Sequence, residues 1–567
     1  MEAFPVADEY VPTLAEDPAL GLSHRAKMEI LFAVMLGLFL GALDQTIVGP
    51  ALPTVVTQLS GNDYYVWAIT IYLLTSTISV PFWGKLSDLY GRKPIFMIGI
   101  VIFLIGSALS GLSQDMAMLI LFRGIQGIGA GSLFPVALAI IGDLFTPQER
   151  GKYQGLFGAV FGIAFVAGPL IGGWLTENLS WHWIFYVNIP IGIVALFVIN
   201  RLLPVVKHPG AKRAFDVLGG VIFTIAITFL LIGLTNKQFG DWTDATVGGF
   251  ILIGLLGSLV FIWAESRAKE PIVPLHLWRG RTYSASMIST FFAAFAFFGA
   301  VVFLPRWFQV VESFTPTDSG LAALPLMVGL IGSSIAAGYF VARTGRYKWL
   351  LVSALVLMGF AVGLMTQLTK DTPLAVVWFW MFLAGLGVGP TFSVFTIVIQ
   401  NAVPFHELGV ATSNLTFFRQ IGGTVALAFV GTIFGTTFNE ELVPQMLAAG
   451  VPQQVVDGFG QATASGQMDL SQLTGVGDMG AAILAAVPAA FQDAIKPFIP
   501  AMVEGIHGAF SLATAQTFWL GVAGAALAAI AAVAIKEIPL RTSNDAPVPT
   551  QSRAEAAAPG VVVPSVD

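Results

Sequence analysis

A short polar run, Gly84-Lys85-Leu86-Ser87-Asp88-Leu89-Tyr90-Gly91-Arg92-Lys93, interrupts an otherwise apolar part of the sequence. It separates two long apolar runs, at roughly residues 64–83 and 94–112, each of a length that crosses a bilayer. Gly91 suits a position that needs a positive φ or a very close neighbour. Asp88 and Arg92 stand four residues apart, within reach of each other and of neighbouring loops. The stretch therefore predicts a short polar connection, here called the clasp, between two membrane spans.

Composition identifies the solvent that surrounds most of this chain. Of its 567 residues, 56% are hydrophobic and 11% are charged, and the mean hydropathy is +0.80. A soluble domain carries about 25% charged residues. A core alone cannot hide so much apolar surface, whereas lipid can, so we expect an integral membrane protein. The chain has no cysteine, which excludes disulfides and thiolate metal sites, and its net charge of −6 does not favour nucleic acid.

About fourteen apolar runs are long enough to span a bilayer. Their approximate centres lie near positions 40, 73, 103, 129, 162, 193, 226, 256, 297, 330, 358, 387, 422 and 523. Lysine and arginine accumulate on the cytoplasmic side of membrane proteins. If the N-terminus is cytoplasmic, Arg123 and Arg419 lie within spans. The other basic residues then lie inside, except for Lys237, Arg306, Lys370 and Lys496. We therefore expect the clasp and both termini to face the cytoplasm.

The chain also repeats itself. Gly127-Ile-Gly129-Ala-Gly131 in the fourth span matches Gly385-Leu-Gly387-Val-Gly389 in the twelfth, and at the same offset Glu149-Arg-Gly151 meets Glu407-Leu-Gly409. Gly338 and Gly345-Arg346 echo the clasp, although Ala342 stands where its acid would be. Glycine triplets can recur by chance in glycine-rich spans, but the in-register Glu-x-Gly argues against chance. The repeat predicts two parallel halves related by an axis along the membrane normal.

These motifs resemble those of a known family. The pattern Gly-x-x-x-Asp-x-x-Gly-Arg-Lys of the clasp closely resembles the signature loop of the major facilitator superfamily. Arg123-Gly-Ile-Gln126-Gly127-Ile-Gly129-Ala130 is similar to the buried arginine motif of that superfamily. The fifth span resembles the motif of its antiporter branches, on Gly158, Gly162, Gly168, Pro169, Gly172 and Gly173. Small residues at fourfold spacing let helices approach closely, and packing alone is the alternative reading of them.

Three further stretches resemble one branch, the fourteen-helix drug:proton antiporters (the EmrB/QacA type). They are Leu43-Asp44-Gln45-Thr46, Trp181 to Pro190, and Arg419-Gln420-Ile-Gly422-Gly423. The resemblance covers residues 28–435 and 511–541. Two departures are His182 in place of an arginine and Gly49-Pro50 in place of Asn-Val. The resemblance implies an all-α integral membrane protein with two six-helix bundles and two inserted linker helices.

That fold predicts the following division of the chain. A cytoplasmic tail (1–27) precedes the first bundle (28–205), a linker with two spans (206–280) and the second bundle (281–541), and a disordered cytoplasmic tail (542–567) follows. The second bundle includes a long extracytoplasmic segment, 436–510, and such length is often functional in a compact fold. That segment could lie on the membrane surface, cap the outer vestibule or serve as a tether.

An ionisable group within a span is a functional candidate, because it is costly unless it is paired or hydrated. We expect Asp44 to bind and release protons, because desolvation favours the neutral carboxyl, with Arg123 able to modulate a nearby acid. The alternative is a buried acid that is permanently paired and serves only structure. Sequence alone does not show whether Arg123 meets Asp44.

The resemblance also implies a cytoplasmic gate. Asp88 would face the N-terminal end of the thirteenth helix, near Gly409, where a helix dipole favours a carboxylate. Arg92 would pair with Asp143. The alternative is that Arg92 and Lys93 only mark the positive-inside face. The predicted gate comprises Gly84, Asp88, Gly91, Arg92, Lys93 and Asp143.

The substrate is less defined by the sequence. The tenth span has only Asp318 at its outer edge, and the thirteenth has no acid before Glu440, so a pocket with several acids for cations is not indicated. Aromatic residues with a few polar groups would suit amphipathic molecules. The alternative for the phenylalanines is lipid contact or packing. The predicted pocket comprises Gln45, Phe157, Phe161, Phe295, Phe392, Asn414, Phe418 and Arg419.

We therefore expect a monomeric, proton-driven exporter of lipophilic or amphipathic molecules in the plasma membrane, working by alternating access. The resemblance implies the proton gradient as the energy source, without a cofactor. The chain has no phosphate-binding Gly-x-x-x-x-Gly-Lys-Ser/Thr loop, so a primary pump would need a separate ATPase subunit. One alternative is an exporter of lipids or lipid-like metabolites. A different class is a non-transporting receptor or a membrane-embedded enzyme, and the scattered histidines disfavour the enzyme.

Overall fold

The computed structural model describes residues 22–59, 65–204, 215–237, 240–464, 479–486, 492–493 and 495–541. Most of the predicted tail 1–27 and the whole predicted tail 542–567 lie outside these ranges. Among the described residues there is no β-strand, which confirms the all-α prediction.

Fourteen long helices follow one another along the chain. They are α1 His24–Gln58, α2 Tyr65–Tyr90, α3 Arg92–Ser110, α4 Met116–Leu144, α5 Pro147–Asn178, α6 Asn188–Leu202, α7 Val217–Asn236, α8 Phe250–Glu265, α9 Arg281–Val310, α10 Leu324–Thr344, α11 Lys348–Met365, α12 Leu374–Ala402, α13 Leu408–Ala448 and α14 Ile499–Val533. Each predicted span centre falls inside one of them. Within the described residues, thirteen helices are long and apolar enough to cross a membrane. The remaining one, α2, is 26 residues long and occupies the place of the second predicted span.

The helices pack as two similar bundles, α1–α6 and α9–α14. In the first bundle α1 packs on α5 and α6, α4 packs on α2 and α3, and α3 packs on α6. The second bundle repeats each pair: α9 packs on α13 and α14, α12 on α10 and α11, and α11 on α14. Each helix of the first bundle thus has its counterpart eight helices later.

The glycine triplets are the points where this repeat is tightest. On α4, Gly127 and Gly131 meet the backbone of α2, and Gly129 meets the backbone of Gly99 and Phe103 on α3. On α12, Gly385 and Gly389 meet α10 in the same way, and Gly387 meets Met358 on α11. A side chain at any of these positions would collide with main-chain atoms of the neighbouring helix. The triplets therefore fix the close approach of three helices in each half.

Two seams join the halves, one between α2 and α13 and one between α5 and α10. The inserted pair α7–α8 lies beside the first seam. Phe223 of α7 contacts both Phe82 of α2, at 5.8 Å between ring centroids, and Phe417 of α13, at 5.3 Å. Beyond α8, Glu270 forms an ion pair with the buried Lys85 of α2. The inserted helices are thus attached to both halves at one seam.

On the side opposite the clasp, α13 and α14 extend past the other helices. α13 has 41 residues and is therefore about 60 Å long, twice the thickness of a hydrocarbon core. Gly505 of α14 packs on Met446 of α13, and short helices at Gln453–Ala464 and Met479–Ala486 bury Val456 and Ile483 against this extension. The described parts of segment 436–510 are therefore packed helices and not a loose tether.

On the clasp side, residues 534–541 form a strap beneath the second bundle. Glu537 accepts hydrogen bonds from the amides of Tyr347, at 2.7 Å, and Lys348, at the start of α11. The hydroxyl of Tyr347 accepts the amide of Ile538 at 2.6 Å, and burial raises the pKa of Tyr347 to about 12. Tyr347 therefore stays protonated across the physiological pH range, and this contact is insensitive to pH there.

Candidate functional site: a buried ion pair, an interhelical clasp and a central cavity

Asp44 lies near the middle of α1 and is fully buried in the first bundle. Its Oδ2 accepts a hydrogen bond from Arg123 Nη1 of α4 at 2.7 Å. Its Oδ1 accepts from Gln126 Nε2 at 2.7 Å and from Asn188 Nδ2 of α6 at 2.9 Å. Two helices, α4 and α6, thus place three donors around one carboxylate of α1, and the structure brings together Asp44 and Arg123.

Arg123 is as closely held as its partner. Its guanidinium lies 4.1 Å from the ring centroid of Tyr72 on α2, and its Nη1 also donates to Gln126 Oε1 at 2.8 Å. In a buried ion pair each charge compensates the desolvation of the other, so removal of either partner leaves an uncompensated buried charge. The pair therefore ties α1 to α4, with Tyr72 of α2 against the guanidinium.

Close to the pair, α1 is joined to α5. The Oγ1 of Thr46, two residues after Asp44, donates to the carbonyl of Ala164 at 2.9 Å. Gly168 packs on Thr46, and Gly172 packs on the carbonyl of Ile47. The predicted antiporter motif therefore forms the α1–α5 contact on one face of α5.

The opposite face of the same motif meets the second half. Gly162 packs on Ile331 of α10, whereas Pro169 and Gly173 lie beside Gly320 and Thr317 in the segment that precedes α10. α5 is thus wedged between the helix that carries Asp44 and the helix of the other half.

The clasp joins the halves at the opposite seam. Asp88, at the end of α2, accepts hydrogen bonds from the first amides of α13: Gly409 N to Oδ1 at 3.0 Å and Val410 N to Oδ2 at 2.8 Å. Arg92 pairs with Asp88 and donates from Nε to Asp143 Oδ2 of α4 at 3.0 Å. The contacts expected of Asp88 and Arg92 are therefore present, whereas their action as a gate stays a prediction.

Glycines make this approach possible. Gly91 has a backbone φ of 95°, which residues other than glycine rarely adopt. A Cβ at Gly84 would collide with Ser413 and with the carbonyl of Gly409. Lys93, also assigned to the gate, lies elsewhere: its Nζ donates to the carbonyl of Asn200, near the end of α6, at 2.7 Å. Lys93 therefore ties α3 to α6 within one half.

The pseudo-equivalent position in the second half has no acid, and its helix termini explain why. Ala342 of α10 faces Gly151 of α5 as Asp88 faces Gly409. α13 begins at Leu408, so the amide of Gly409 lies in its first turn, has no acceptor within the helix and can donate to Asp88. α5 begins at Pro147 and is capped by Thr146 and Glu149, so Gly151 lies in the helix interior. A carboxylate at position 342 would find no free amide there.

A second layer of contacts between the halves lies deeper, and sequence reasoning missed it. Gln154 Nε2 of α5 donates to Gln400 Oε1 of α12 at 2.8 Å. Gln400 Nε2 in turn donates to the carbonyl of Leu138 on α4 at 3.0 Å and to Thr412 Oγ1 on α13 at 3.3 Å. Gln154, Gln400 and Thr412 are fully buried. The sequence carries little signal for this layer, because Gln154 follows the charged residues at the start of α5 and Gln400 stands beside Asn401 at the end of α12.

A small, partly open cavity lies on the inner face of the second bundle, and in this conformation it has room for about one water molecule. α9, α12 and α13 line it, with residues Thr290, Ala293, Ala294, Phe297, Thr391, Phe392 and Arg419. Phe161 of the first half lies 5.6 Å from Phe392, and Phe134 stacks on Phe161 at 4.9 Å. Of the predicted pocket, the structure therefore brings Phe392 and Arg419 to the cavity and Phe161 to its edge.

The other predicted pocket residues lie elsewhere in this conformation. Asn414 donates to the hydroxyl of Tyr283 at 2.9 Å, and Phe418 packs on Trp278 beside α9. Phe295 packs against α14 at Gly524, and Phe157 belongs to the core of the first half. Gln45 is exposed. Four of these five residues thus hold helices together, which was the alternative reading for the phenylalanines.

Comparison with known proteins agrees with the fold and the motifs. The profile of the Major Facilitator Superfamily matches residues 34–427. The multidrug transporter protein MdtP of Bacillus subtilis (strain 168) is 35% identical over 537 residues, covering 93% of this chain and 96% of that protein. Multidrug resistance protein 3 of the same organism is 35% identical over 418 residues, covering 73% and 80%.

Among solved structures, a bacterial homologue of the human lysosomal transporter Spinster, inward-facing and unoccupied, resembles this chain with a TM-score of 0.53 at 17% identity. The match covers 91% of this chain and 98% of the other, and shows a shared fold. Glycine triplets, clasp, paired bundles and family profile lead to one conclusion: the chain belongs to the major facilitator superfamily, a family of membrane transporters.

Proposed function

We propose that this chain is a proton-coupled antiporter that exports lipophilic or amphipathic small molecules by alternating access, with the proton gradient as its energy source and no cofactor. The observation that carries the proposal is the fully buried Asp44–Arg123 pair. A proton on Asp44 would cancel one charge of the pair and leave the other uncompensated, so the packing of α1 against α4 depends on protonation.

The proton site has a route to the seam between the halves. α1 reaches α5 through Thr46 and Gly168, and α5 reaches α10 through Gly162. A shift of α1 on protonation would therefore be passed to the α5–α10 seam. Because the clasp closes one side, the described conformation is the partner of a second one in which the clasp opens.

The substrate class rests on the cavity and on the relatives. Two relatives carry multidrug names, and the cavity combines aromatic walls with a few polar groups, which suits amphipathic molecules. The second candidate, an exporter of lipids or lipid-like metabolites, is favoured by one feature of the described residues: Arg419 lines the cavity and no carboxylate does. For either class we propose a monomeric transporter of the plasma membrane with cytoplasmic termini.

The test uses purified protein in sealed vesicles with an imposed pH gradient. Efflux of a fluorescent lipophilic cation and of a fluorescent lipid is recorded for wild type and Asp44→Asn. We expect gradient-driven movement of one of them in wild type and its loss in Asp44→Asn, while exchange of that substrate without a gradient persists. Gradient-driven transport that survives in Asp44→Asn would remove Asp44 from the coupling mechanism.

Two controls separate coupling from folding. Asp115→Asn removes an exposed carboxylate that caps α4 and should leave coupled transport unchanged. Asp44→Asn leaves Arg123 as an uncompensated buried charge, which costs about 3–5 kcal/mol. The double variant Asp44→Asn with Arg123→Gln removes that penalty, so a folded but uncoupled double variant would assign the effect to the proton.

A further inference from the structure

The two arginines within the spans have different partners. Arg123 is neutralised by Asp44 and held by Gln126. Arg419 of α13 forms no ion pair with any carboxylate among the described residues. Its described contacts are a long hydrogen bond from Nη2 to the carbonyl of Thr391, at 3.4 Å, and the face of Phe392, at 4.3 Å from the ring centroid.

These two contacts only partly compensate the charge. A guanidinium has five N–H donors, of which one reaches an acceptor within the described parts of the chain. A cation within a span is unfavourable unless it is paired or solvated, and a cation–π contact replaces only part of what a carboxylate supplies. Arg419 is therefore a charge whose partner is not supplied by the described residues.

The location of Arg419 indicates where a partner would come from. Its side chain lines the small, partly open cavity and is partly exposed. Around it, Phe297 and Phe392 give apolar walls, and Thr290 and Thr391 give the other polar side chains. A ligand with one anionic group and an apolar body would match both the charge and the walls.

We propose that this cavity binds the anionic group of an amphiphile, carboxylate or phosphate, with Arg419 as its counter-ion. The inference rests on the proposed function in that the bound amphiphile is the exported substrate. A lipophilic cation would face like-charge repulsion from Arg419 in a medium of low dielectric constant, so it is excluded from this cavity.

The cavity is lined by a residue, Phe392, that contacts both halves of the protein. Phe392 contacts Phe297 in its own bundle, at 5.6 Å between centroids, and Phe161 of the first bundle, also at 5.6 Å. A ligand on Arg419 and Phe392 therefore touches a ring that belongs to the contact between the halves. Binding of the anion would change that contact and bias the rocking of the bundles.

The test is equilibrium binding to the purified full chain at neutral pH, without a proton gradient. The probes are a fluorescent fatty acid, its methyl ester and the primary amine of the same chain. For wild type we expect the acid to bind at least tenfold more tightly than the ester or the amine. Arg419→Gln should abolish that preference without weakening the ester, and Arg419→Lys should retain much of it. Arg343→Gln, which removes an exposed cation, is the matched control.

Two results would overturn the inference: equal or tighter binding of the amine to wild type, or a preference for the acid that is unchanged in Arg419→Gln. A purely structural role of Arg419 would weaken the binding of all three probes together and would also count against the inference.

A fluorescent phosphatidic acid, compared with a phosphatidylcholine of the same chains, separates the two sources of the anionic group. If phosphatidic acid binds more tightly than the fatty acid, the ligand is a lipid with an anionic head group. If the fatty acid binds more tightly, the ligand is a single-chain acid. Both results support an anionic partner for Arg419. Because binding needs no gradient, anion binding with failed proton-driven transport would reject the proposed function and keep this inference.

Discussion

Asp88 accepts hydrogen bonds with both carboxylate oxygens from the first turn of a helix in the other half, and the same carboxylate pairs with Arg92. Helix N-termini carry free amides and a partial positive charge, so a carboxylate is favoured there over a neutral amide. The clasp thus joins the two halves through charge at one residue, whereas Gly84 and Gly91 only allow the approach.

Asp88→Asn should weaken the closed clasp by about 1–3 kcal/mol. The amide keeps one acceptor oxygen, but it loses the second acceptor, the charge that strengthens the hydrogen bonds and the ion pair with Arg92. Since the chain has no native cysteine, spin labels at Tyr90→Cys and Arg346→Cys report one distance across the clasp side. We expect the population with the longer distance to grow in Asp88→Asn.

Lys93→Gln provides the control, because Lys93 contacts Asn200 within its own half. It should leave the distance distribution as in wild type. If Asp88→Asn and Lys93→Gln gave the same distribution, the charge of Asp88 would not hold the clasp.

Single residues also show what a sequence can and cannot predict. Asp44 and Arg123 were predictable as candidates because a charge within an apolar span is costly unless it is paired or hydrated. The contacts of Asp88 and Arg92 were expected from the resemblance of the clasp to a known motif. Phe295 and Phe418 were assigned to the pocket, yet they pack elsewhere. A span that is apolar all round does not reveal which face meets a cavity, a neighbouring helix or lipid.

At the scale of elements, the ends of α4 and α12 are held by arginines that come from different places. Arg150, at the start of α5, donates to the carbonyls of Gly142 and Phe145 at the end of α4. Arg541 of the strap donates to the carbonyls of Gln400 and Val403 at the end of α12, at 2.9 and 3.0 Å. In the repeat, Gln400 corresponds to Gly142 and Val403 to Phe145. The position that corresponds to Arg150 is Leu408, so the second half has no arginine of its own there.

The strap therefore supplies to the second half what the repeat itself lacks, and this gives a second prediction. Arg541→Gln and Arg150→Gln should each destabilise the protein by a similar amount, about 2–3 kcal/mol, because each leaves buried helix-end carbonyls without a charged donor. Membrane proteins often unfold irreversibly, so the measurement is the half-life of the folded protein in detergent at a fixed elevated temperature. Arg343→Gln, on the exposed surface, should leave the half-life unchanged. A large effect for Arg150→Gln with none for Arg541→Gln would contradict the equivalence.

The helices themselves were predictable, since hydropathy is a local property and each span must satisfy its backbone internally. The pairing of halves followed from glycine triplets in register. The role of Arg541 was not predictable, because the strap follows the last span and nothing in residues 534–541 encodes a contact with α12. The extension of α13 and α14 was likewise hidden, because alanine-rich and glycine-rich sequence beyond a span fits a helix or a linker equally well.

At the scale of the whole molecule, two layers close the clasp side. The outer layer is Asp88 with the start of α13, and the inner layer is Gln400 with Leu138, Gln154 and Thr412. Thr412 lies three residues beyond Gly409, so the layers are about one helical turn apart along α13. Both layers join the same two bundles, and both must separate if the bundles move as bodies.

This arrangement predicts how the layers combine. Gln400→Leu removes two hydrogen bonds between the halves and leaves the buried amide of Gln154 without its partner, which costs about 1–3 kcal/mol in the closed state only. Gln309→Leu is the matched control, because Gln309 donates to Ser319 within the second half. In the protein labelled at Tyr90→Cys and Arg346→Cys, Gln400→Leu should lengthen the distance between the labels and Gln309→Leu should not.

If the bundles rock as rigid bodies, the free-energy shifts of Asp88→Asn and Gln400→Leu add in the double variant, since each biases one shared equilibrium. If instead the outer layer opens alone, Asp88→Asn lengthens the distance as before and Gln400→Leu adds nothing to it, which would replace rigid-body rocking by a local motion of the α2 and α13 ends.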